Sequence, residues 1–327
     1  MTIDVPVVDI REVGRLQGRR AIAANVDRAL HEHGFMAIVN HGISVRLIEA
    51  LYSTMDQFFA LPLEEKLAAS PSDPNSPRGY TYVGATTQAS AHGEATEPDL
   101  VETFNAGLEP IPDTAYYREA AEFFAPNLWP AALPVLPDLW HEYLGVAQQL
   151  TGRIMSAMAL SLGLDDDWFT AVIDKPMASM TVNRYPALAD DLGVSQFRGG
   201  PHTDYGTITL LTTDGVPGLQ LQDADGNWDH VRHVPGAIYV NTGDMLSTWS
   251  GGHWRSTWHQ VVTPPGTPPY PARTSMAYFH SPNADALISP LPGVEPAERY
   301  EPVRAGTYLR SKLDRYHTAR TGSATSE

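Results

Sequence analysis

Gly199-Gly200-Pro201-His202-Thr203-Asp204-Tyr205-Gly206 runs directly into the apolar stretch 208–211. On an extended backbone residues i and i+2 point to the same face, so His202 and Asp204 project together. Two ligands from one strand and a histidine from a neighbouring strand fill one triangular face of an octahedral metal. That two-histidine, one-carboxylate set leaves open positions and suits non-haem Fe(II). His230, His233, His253, His259 and His280 all follow, and each is a candidate third ligand. His259 is the best choice because 258–262 reads as a buried strand, whereas His253 lies in the turn Gly251-Gly252-His253. Gly200 and Gly206 are expected to relax the backbone around the metal strand.

Around this segment the pattern is of short strands divided by turn residues, at 179–184, 207–212, Leu219–Gln222, 237–241, 245–249, 258–262 and 275–278. Asp225-Gly226-Asn227 supplies a tight turn between Gln222 and Trp228. Strands at this spacing predict an antiparallel sandwich, barrel or jelly roll. Upstream, Ile22, Val26 and Leu30 keep helical spacing until Gly34, and 35–39 reads as a buried strand. Ser44 is a plausible N-cap for a helix carrying Ile48, Leu51, Met55 and Phe58, which Pro62 ends. Residues 70–113 read as a long irregular segment, the kind that is usually functional or disordered. From Leu139 to Gly163 helical spacing predicts the longest helix. Tyr308, Leu309 and Leu313 suggest a closing helix, and 321–327 a frayed tail.

Composition narrows the function. Of 327 residues 43% are hydrophobic and none is cysteine, which removes disulfides, thiolate metal sites and cysteine nucleophiles. Any metal must therefore be held by histidine and carboxylate. The net charge of −16 repels phosphate backbones and anionic lipids, and no basic run offsets it, so neither nucleic acid nor a membrane is an expected partner. No basic stretch followed by an apolar run opens the chain, and nowhere do about 18 apolar residues follow one another. A cytoplasmic protein, as a monomer or weak homo-oligomer, is the expectation.

The ordered set of motifs resembles the isopenicillin N synthase-like branch of the Fe(II)/2-oxoglutarate-dependent oxygenases. Val5-Pro6-Val7-Val8-Asp9 looks like that family's opening strand, and Gly34-Phe35 through Asn40-His41-Gly42-Ile43 like its N-terminal signature. Arg78-Gly79-Tyr80, Pro126-Asn127-Leu128-Trp129-Pro130, Asn183-Arg184-Tyr185, Gly218-Leu219-Gln220-Leu221, Asn241-Thr242-Gly243-Asp244 and Arg273-Thr274-Ser275 match in type and order, as does the His202 segment. The resemblance implies a mixed α/β fold with a mainly β core: a double-stranded β-helix, or jelly roll, of eight main strands with a helical N-terminal region packed around it. It divides the chain into an N-terminal region at 1–120, a linker and spine helix at 121–177, the jelly roll at 178–285, and a closing helix and tail at 286–327. It also implies iron on His202, Asp204 and His259, O2 as oxidant, and 2-oxoglutarate with its far carboxylate on Arg273 and Ser275. Tyr185 would add a hydrogen bond. A planar guanidinium grips a carboxylate with two charge-assisted bonds and a hydroxyl adds a third, and alternation puts Arg273 and Ser275 on one face.

The implied reaction is oxidation of an unactivated C–H bond of a small molecule, with release of succinate and CO2. Hydroxylation is the leading outcome, with desaturation or ring closure as variants. Candidate substrate residues are Tyr80 and Phe104 in the loop 78–104, Arg198 before the metal strand, and Phe279 beyond Ser275. Arg198 could pair with a substrate carboxylate, or could be a solvated loop arginine. Two rivals remain open. One is an Fe(II)/O2 oxidase of isopenicillin N synthase type, in which the Arg-x-Ser pair would bind substrate instead. The other is a non-catalytic jelly-roll binding module.

Overall fold

Alternation of apolar and polar residues turns the second half of the chain into strands. The computed structural model describes residues 2–73, 76–89, 96–193, 196–296 and 300–322, with side chains as far as residue 314 in the last helix. Strands β1 (Thr2–Ile3) and β2 (Val7–Asp9) lead into α1 (Leu16–His33), β3 (Phe35–Val39), α2 (Val45–Phe59) and α3 (Leu63–Leu67). Strands β4 (Gly79–Thr81) and β5 (Glu102–Gly107) precede α4 (Ala115–Glu119) and the 26-residue α5 (Leu136–Ser161). The core strands are β6 (Met177–Tyr185), β7 (Gly199–His202), β8 (Ile208–Thr213), β9 (Leu219–Gln222), β10 (Trp228–Val231) and β11 (Ile238–Thr242). Helix α6 (Asp244–Trp249), β12 (His259–Val261), β13 (Arg273–Ser281), β14 (Leu287–Ile288), β15 (Val303–Arg304) and α7 (Ala305–Gly322) complete the chain.

Two sheets face one another. The larger has the order β2-β3-β11-β8-β13-β6-β5-β4, the smaller β1-β10-β9-β12-β7. From β6 to β13 the chain passes repeatedly between the sheets, as a double-stranded β-helix does. On the large sheet, Met180, Val182, Leu210, Val240, Met276 and Tyr278 turn outward and join the core that α1, α2 and α5 cover. Burying each such side chain contributes roughly 1.5–3 kcal/mol. Their alternates Ser179, Thr181, Thr209, Leu211, Arg273, Ser275, Ala277 and Phe279 turn inward and line a cavity between the sheets. Helix packing thus fixes the register that presents the polar set inside.

Several expectations change. The 70–113 segment is not wholly irregular, because β4 and β5 pair onto the edge of the large sheet, Asn105 opposite Thr181. That pairing is long-range, which local turn signals do not report. The N-terminal region likewise gives the large sheet β2 to β5 as well as helices. The run 245–249 is helical, not a strand: Met245, Leu246 and Trp249 bury one helical face behind Gly243. Ser44 occupies the N-cap of α2 without a side-chain bond. Gly34, at φ +65°, ends α1, and Gly226, at φ +85°, closes the β9–β10 hairpin. The closing helix runs to Gly322, so it includes the first two residues of the expected tail; residues 323–327 lie outside the described residues. So do 90–95 of the loop 78–104.

Candidate active site

His202 ends β7, and His259 opens β12 directly opposite it in the antiparallel register. Cross-strand pairing therefore brings together residues distant in sequence, and one atom from each of His202, Asp204 and His259 lies within 4.8 Å of the others. Asp204 and His259 are buried, and His202 is half-buried. Each imidazole is held in one tautomer. His202 Nδ1 donates to the Gly200 carbonyl at 2.8 Å and His259 Nδ1 to the Thr257 carbonyl at 3.1 Å. A carbonyl only accepts, so both Nδ1 atoms carry protons and both Nε2 atoms present a lone pair. Asp204 Oδ2 accepts from Thr209 Oγ1 at 2.5 Å and from Asn241 Nδ2 at 2.6 Å, and Oδ1 lies 3.8 Å from His259 Nε2. Burial opposes ionisation of Asp204, but His259, His202 and these two donors together hold its carboxyl below the usual range. The donor set fits one divalent metal: three lone pairs converge, one of them anionic, while carbonyl, hydroxyl and amide bonds engage both Nδ1 atoms and Asp204 Oδ2.

The inward face of β13 carries a second device. Arg273 is 1% exposed, and no carboxylate among the described residues lies within salt-bridge distance of it. Its Nη1 donates to Ser275 Oγ at 3.1 Å and its Nε to the Val216 carbonyl at 3.2 Å. Tyr185 pairs with Arg273 across β6, and the guanidinium lies 5.0 Å over the phenol ring. Burial raises the Tyr185 hydroxyl pKa against the pull of Arg273, so it remains a proton donor. A buried cation beside a hydroxyl with no anion of its own is complementary to a carboxylate brought by a ligand. The triad and this anchor line one cavity of about 320 Å³.

The profile described as the 2OG-Fe(II) oxygenase superfamily matches residues 177–282, and that described as the non-haem dioxygenase in morphine synthesis N-terminal matches residues 5–132. Validamycin A dioxygenase of Streptomyces hygroscopicus subsp. limoneus is 32% identical over 297 residues, 89% of this chain and 80% of its own. The chain belongs to the 2OG-Fe(II) oxygenase superfamily. A proline hydroxylase of Petromyces alliaceus is 33% identical, over 90% of this chain and 93% of its own. Among solved structures, a full-length Neurospora crassa protein in complex with alpha-KG is 30% identical with a TM-score of 0.83, covering 95% of both chains. The fold is therefore the oxygenase jelly roll, and the enzyme is a 2-oxoglutarate-dependent dioxygenase that uses Fe(II) and O2.

Of the substrate candidates, Phe279 lines the oxygenase cavity and the other three do not. Tyr80 and Phe104 pack edge-on against Phe58 in the helix-side core, and Tyr80 Oη donates to Glu102 at 2.7 Å. Pairing of β4 with β5 puts both rings on the outward face, a fact that aromatic composition does not contain. Arg198 is fully buried, and its Nη2 donates to the carbonyls of Pro186 and Pro271 at 3.1 and 2.9 Å. It fastens two loops together, so neither a solvated arginine nor a cavity cation describes it. Gly200 and Gly206 do not have positive φ. They permit close approach instead: a Cβ on Gly206 would meet the His280 carbonyl at 2.2 Å, and one on Gly200 would meet Asp99 Oδ1 and Ala89 at 3.2 Å. Thr209, Asn241 and Asp99 escaped sequence reasoning. Asp99 accepts from the backbone N–H of Gly200 and of Gln88, tying the loop to the metal strand. Only the Asn241-Thr242-Gly243-Asp244 motif hinted at one of them.

Proposed function

We propose that His202, Asp204 and His259 hold the iron of this dioxygenase, that Arg273, Ser275 and Tyr185 hold the far carboxylate of 2-oxoglutarate, and that the remaining cavity receives a small molecule for hydroxylation. Desaturation and ring closure are outcomes of the same site. The observation that carries this reading is the sharing of one cavity by a preorganised triad and a buried, anion-less arginine. Bound Fe(II) and 2-oxoglutarate supply O2 activation with release of succinate and CO2.

The chain's own residues do the rest. The Nδ1 bonds of both histidines and the two bonds to Asp204 hold the ligands against rotation, so binding demands little reorganisation. Arg273 orients the cosubstrate by one end and Tyr185 covers it. Phe279, with Leu309 and Leu313 of α7, walls the substrate end and excludes water. A cavity of this size suits a small molecule rather than a polymer.

Succinate release and O2 uptake by Fe(II)-loaded protein, measured across a small-molecule panel, test the reading. His202→Ala and Asp204→Ala should abolish both while leaving the fold intact; full activity in either variant would remove the triad from its role. Turnover with O2 uptake but no succinate would restore the oxidase reading.

A further inference from the structure

The cavity has a polar end that neither the triad nor the cosubstrate anchor uses. Arg78 is 5% exposed and lines it. Its guanidinium donates to the carbonyl of Phe123 at 2.7 Å, to that of Ala125 at 3.4 Å, and to Asn105 Oδ1 at 2.9 Å. Gly107 makes room for it, because a Cβ there would meet Arg78 Nη2 at 2.3 Å. An arginine offers donors only, so the Asn105 atom facing it must be the oxygen. The amide nitrogen is thereby aimed the other way, where it donates to Thr181 Oγ1 at 2.8 Å and Ser179 Oγ at 3.3 Å. Both hydroxyls accept from Asn105, and no other side-chain hydrogen bond of either occurs among the described residues. Their protons are free to be donated, and both side chains line the cavity.

Charge adds a second constraint. No carboxylate among the described residues lies within salt-bridge distance of Arg78. Glu109 acts on it from farther away and is itself held by the Asn127 N–H, Trp129 Nε1 and His141. In the loaded enzyme Asp204 and the two carboxylates of 2-oxoglutarate balance Fe(II) and Arg273, which leaves the Arg78 charge over. A buried positive charge on a cavity wall favours a ligand that brings one negative charge.

We propose that Ser179 and Thr181 read the substrate by donating to the carboxylate of a small acid, and that Asn105, locked by Arg78, is the positioning residue that turns both hydroxyls into donors. This rests on the assignment of the triad and of the Arg273 anchor above. Asn105→Asp nearly preserves shape but reverses the relay: the new carboxylate pairs with Arg78, cancels its charge and takes the two hydroxyl protons for itself.

The test uses Fe(II)- and 2-oxoglutarate-loaded protein under anaerobic conditions, following the visible charge-transfer band of the chelated keto acid. Probes are monocarboxylic acids of roughly five to ten carbons, sized to such a pocket, each paired with its primary amide. Acids are expected to perturb the band at concentrations at least about tenfold below their amides, since bonds to a charged group are the stronger. Asn105→Asp should raise the acid dissociation constant about 10- to 100-fold and erase the preference over the amide. Its 2-oxoglutarate titration should stay within about twofold, which a general structural defect would not allow. The isosteric Thr181→Val should show the same effect in smaller degree. Amides binding as tightly as acids, no acid perturbing the band, or an unchanged acid preference in Asn105→Asp would each overturn the proposal. Absence of the band before any acid is added would instead overturn the cosubstrate assignment beneath it.

Discussion

The proposed metal site depends on residues outside the triad itself. Thr209 and Asn241 occupy the second oxygen of Asp204, fixing which oxygen is offered. Asn241→Ala should weaken Fe(II) binding about 10- to 100-fold, the usual effect of losing such a partner. Competition against a chelator measures this, and unchanged affinity would mean that Thr209 alone suffices. His280 carries a different prediction. It is 1% exposed with Nδ1 2.6 Å from Thr207 Oγ1, and burial pushes its pKa down to about 3. The unfolded chain, with an ordinary histidine, binds this proton near pH 6.5 while the native protein does not. Native stability is therefore full above that pH and falls as the pH drops toward 3, by at most about 1.4 kcal/mol per pH unit. His280→Asn should flatten this part of the profile between about pH 6 and 4 in urea titrations; an unchanged slope would place the proton elsewhere. The convergence of His202, Asp204 and His259 was legible from His202-x-Asp204 and the strand around His259. Thr209 and Asn241 were not, because tertiary contact rather than spacing brings them to Asp204.

Elements explain why the ligand turn is rigid. Gly206 lies between β7 and β8 against the His280 carbonyl, and a Cβ on Gly243 would meet the Gly206 carbonyl oxygen at 2.4 Å. Three backbone segments meet there with no room for a methyl group. Gly206→Ala should cost about 1–3 kcal/mol of stability, as overpacking does. It should also lower iron affinity by displacing Asp204, both read from denaturation of the metal-free protein and Fe(II) titration. Stability and affinity at the original level would show that the turn can yield. Strands with alternating patterns, such as Leu219–Gln222 and β8, were legible almost to the residue, whereas only the middle of β13, 275–278, was read as strand. The failures were β4 and β5, which owe their form to β6, and α6, whose short apolar run has no period long enough to separate strand from helix.

Across the whole molecule, helices on one face of the large sheet leave the other face to form the cavity, and α7 lines it with Leu309 and Leu313. Tyr308 Oη and Lys312 Nζ anchor that helix on Asp244 at 2.8 and 3.0 Å. Replacing Leu309 and Leu313 together by serine should admit water to the substrate end. The ratio of succinate to oxidised product would rise while 2-oxoglutarate affinity stayed within about twofold, because the Arg273 anchor lies elsewhere in the cavity. A ratio equal to that of the unaltered enzyme would show that α7 does not seal the site. The jelly roll was legible at this scale through the order of motifs. The polar relay from Arg78 to Thr181 was not, since it is built across β4, β5 and β6. The most direct test is anaerobic titration of the Fe(II)-loaded protein with 2-oxoglutarate, with and without Arg273→Ala. A visible charge-transfer band that saturates in the native enzyme, and needs about 10- to 100-fold more 2-oxoglutarate in the variant, is the expected result. Iron binding without the band, or a band indifferent to Arg273, would contradict the shared site of metal and cosubstrate.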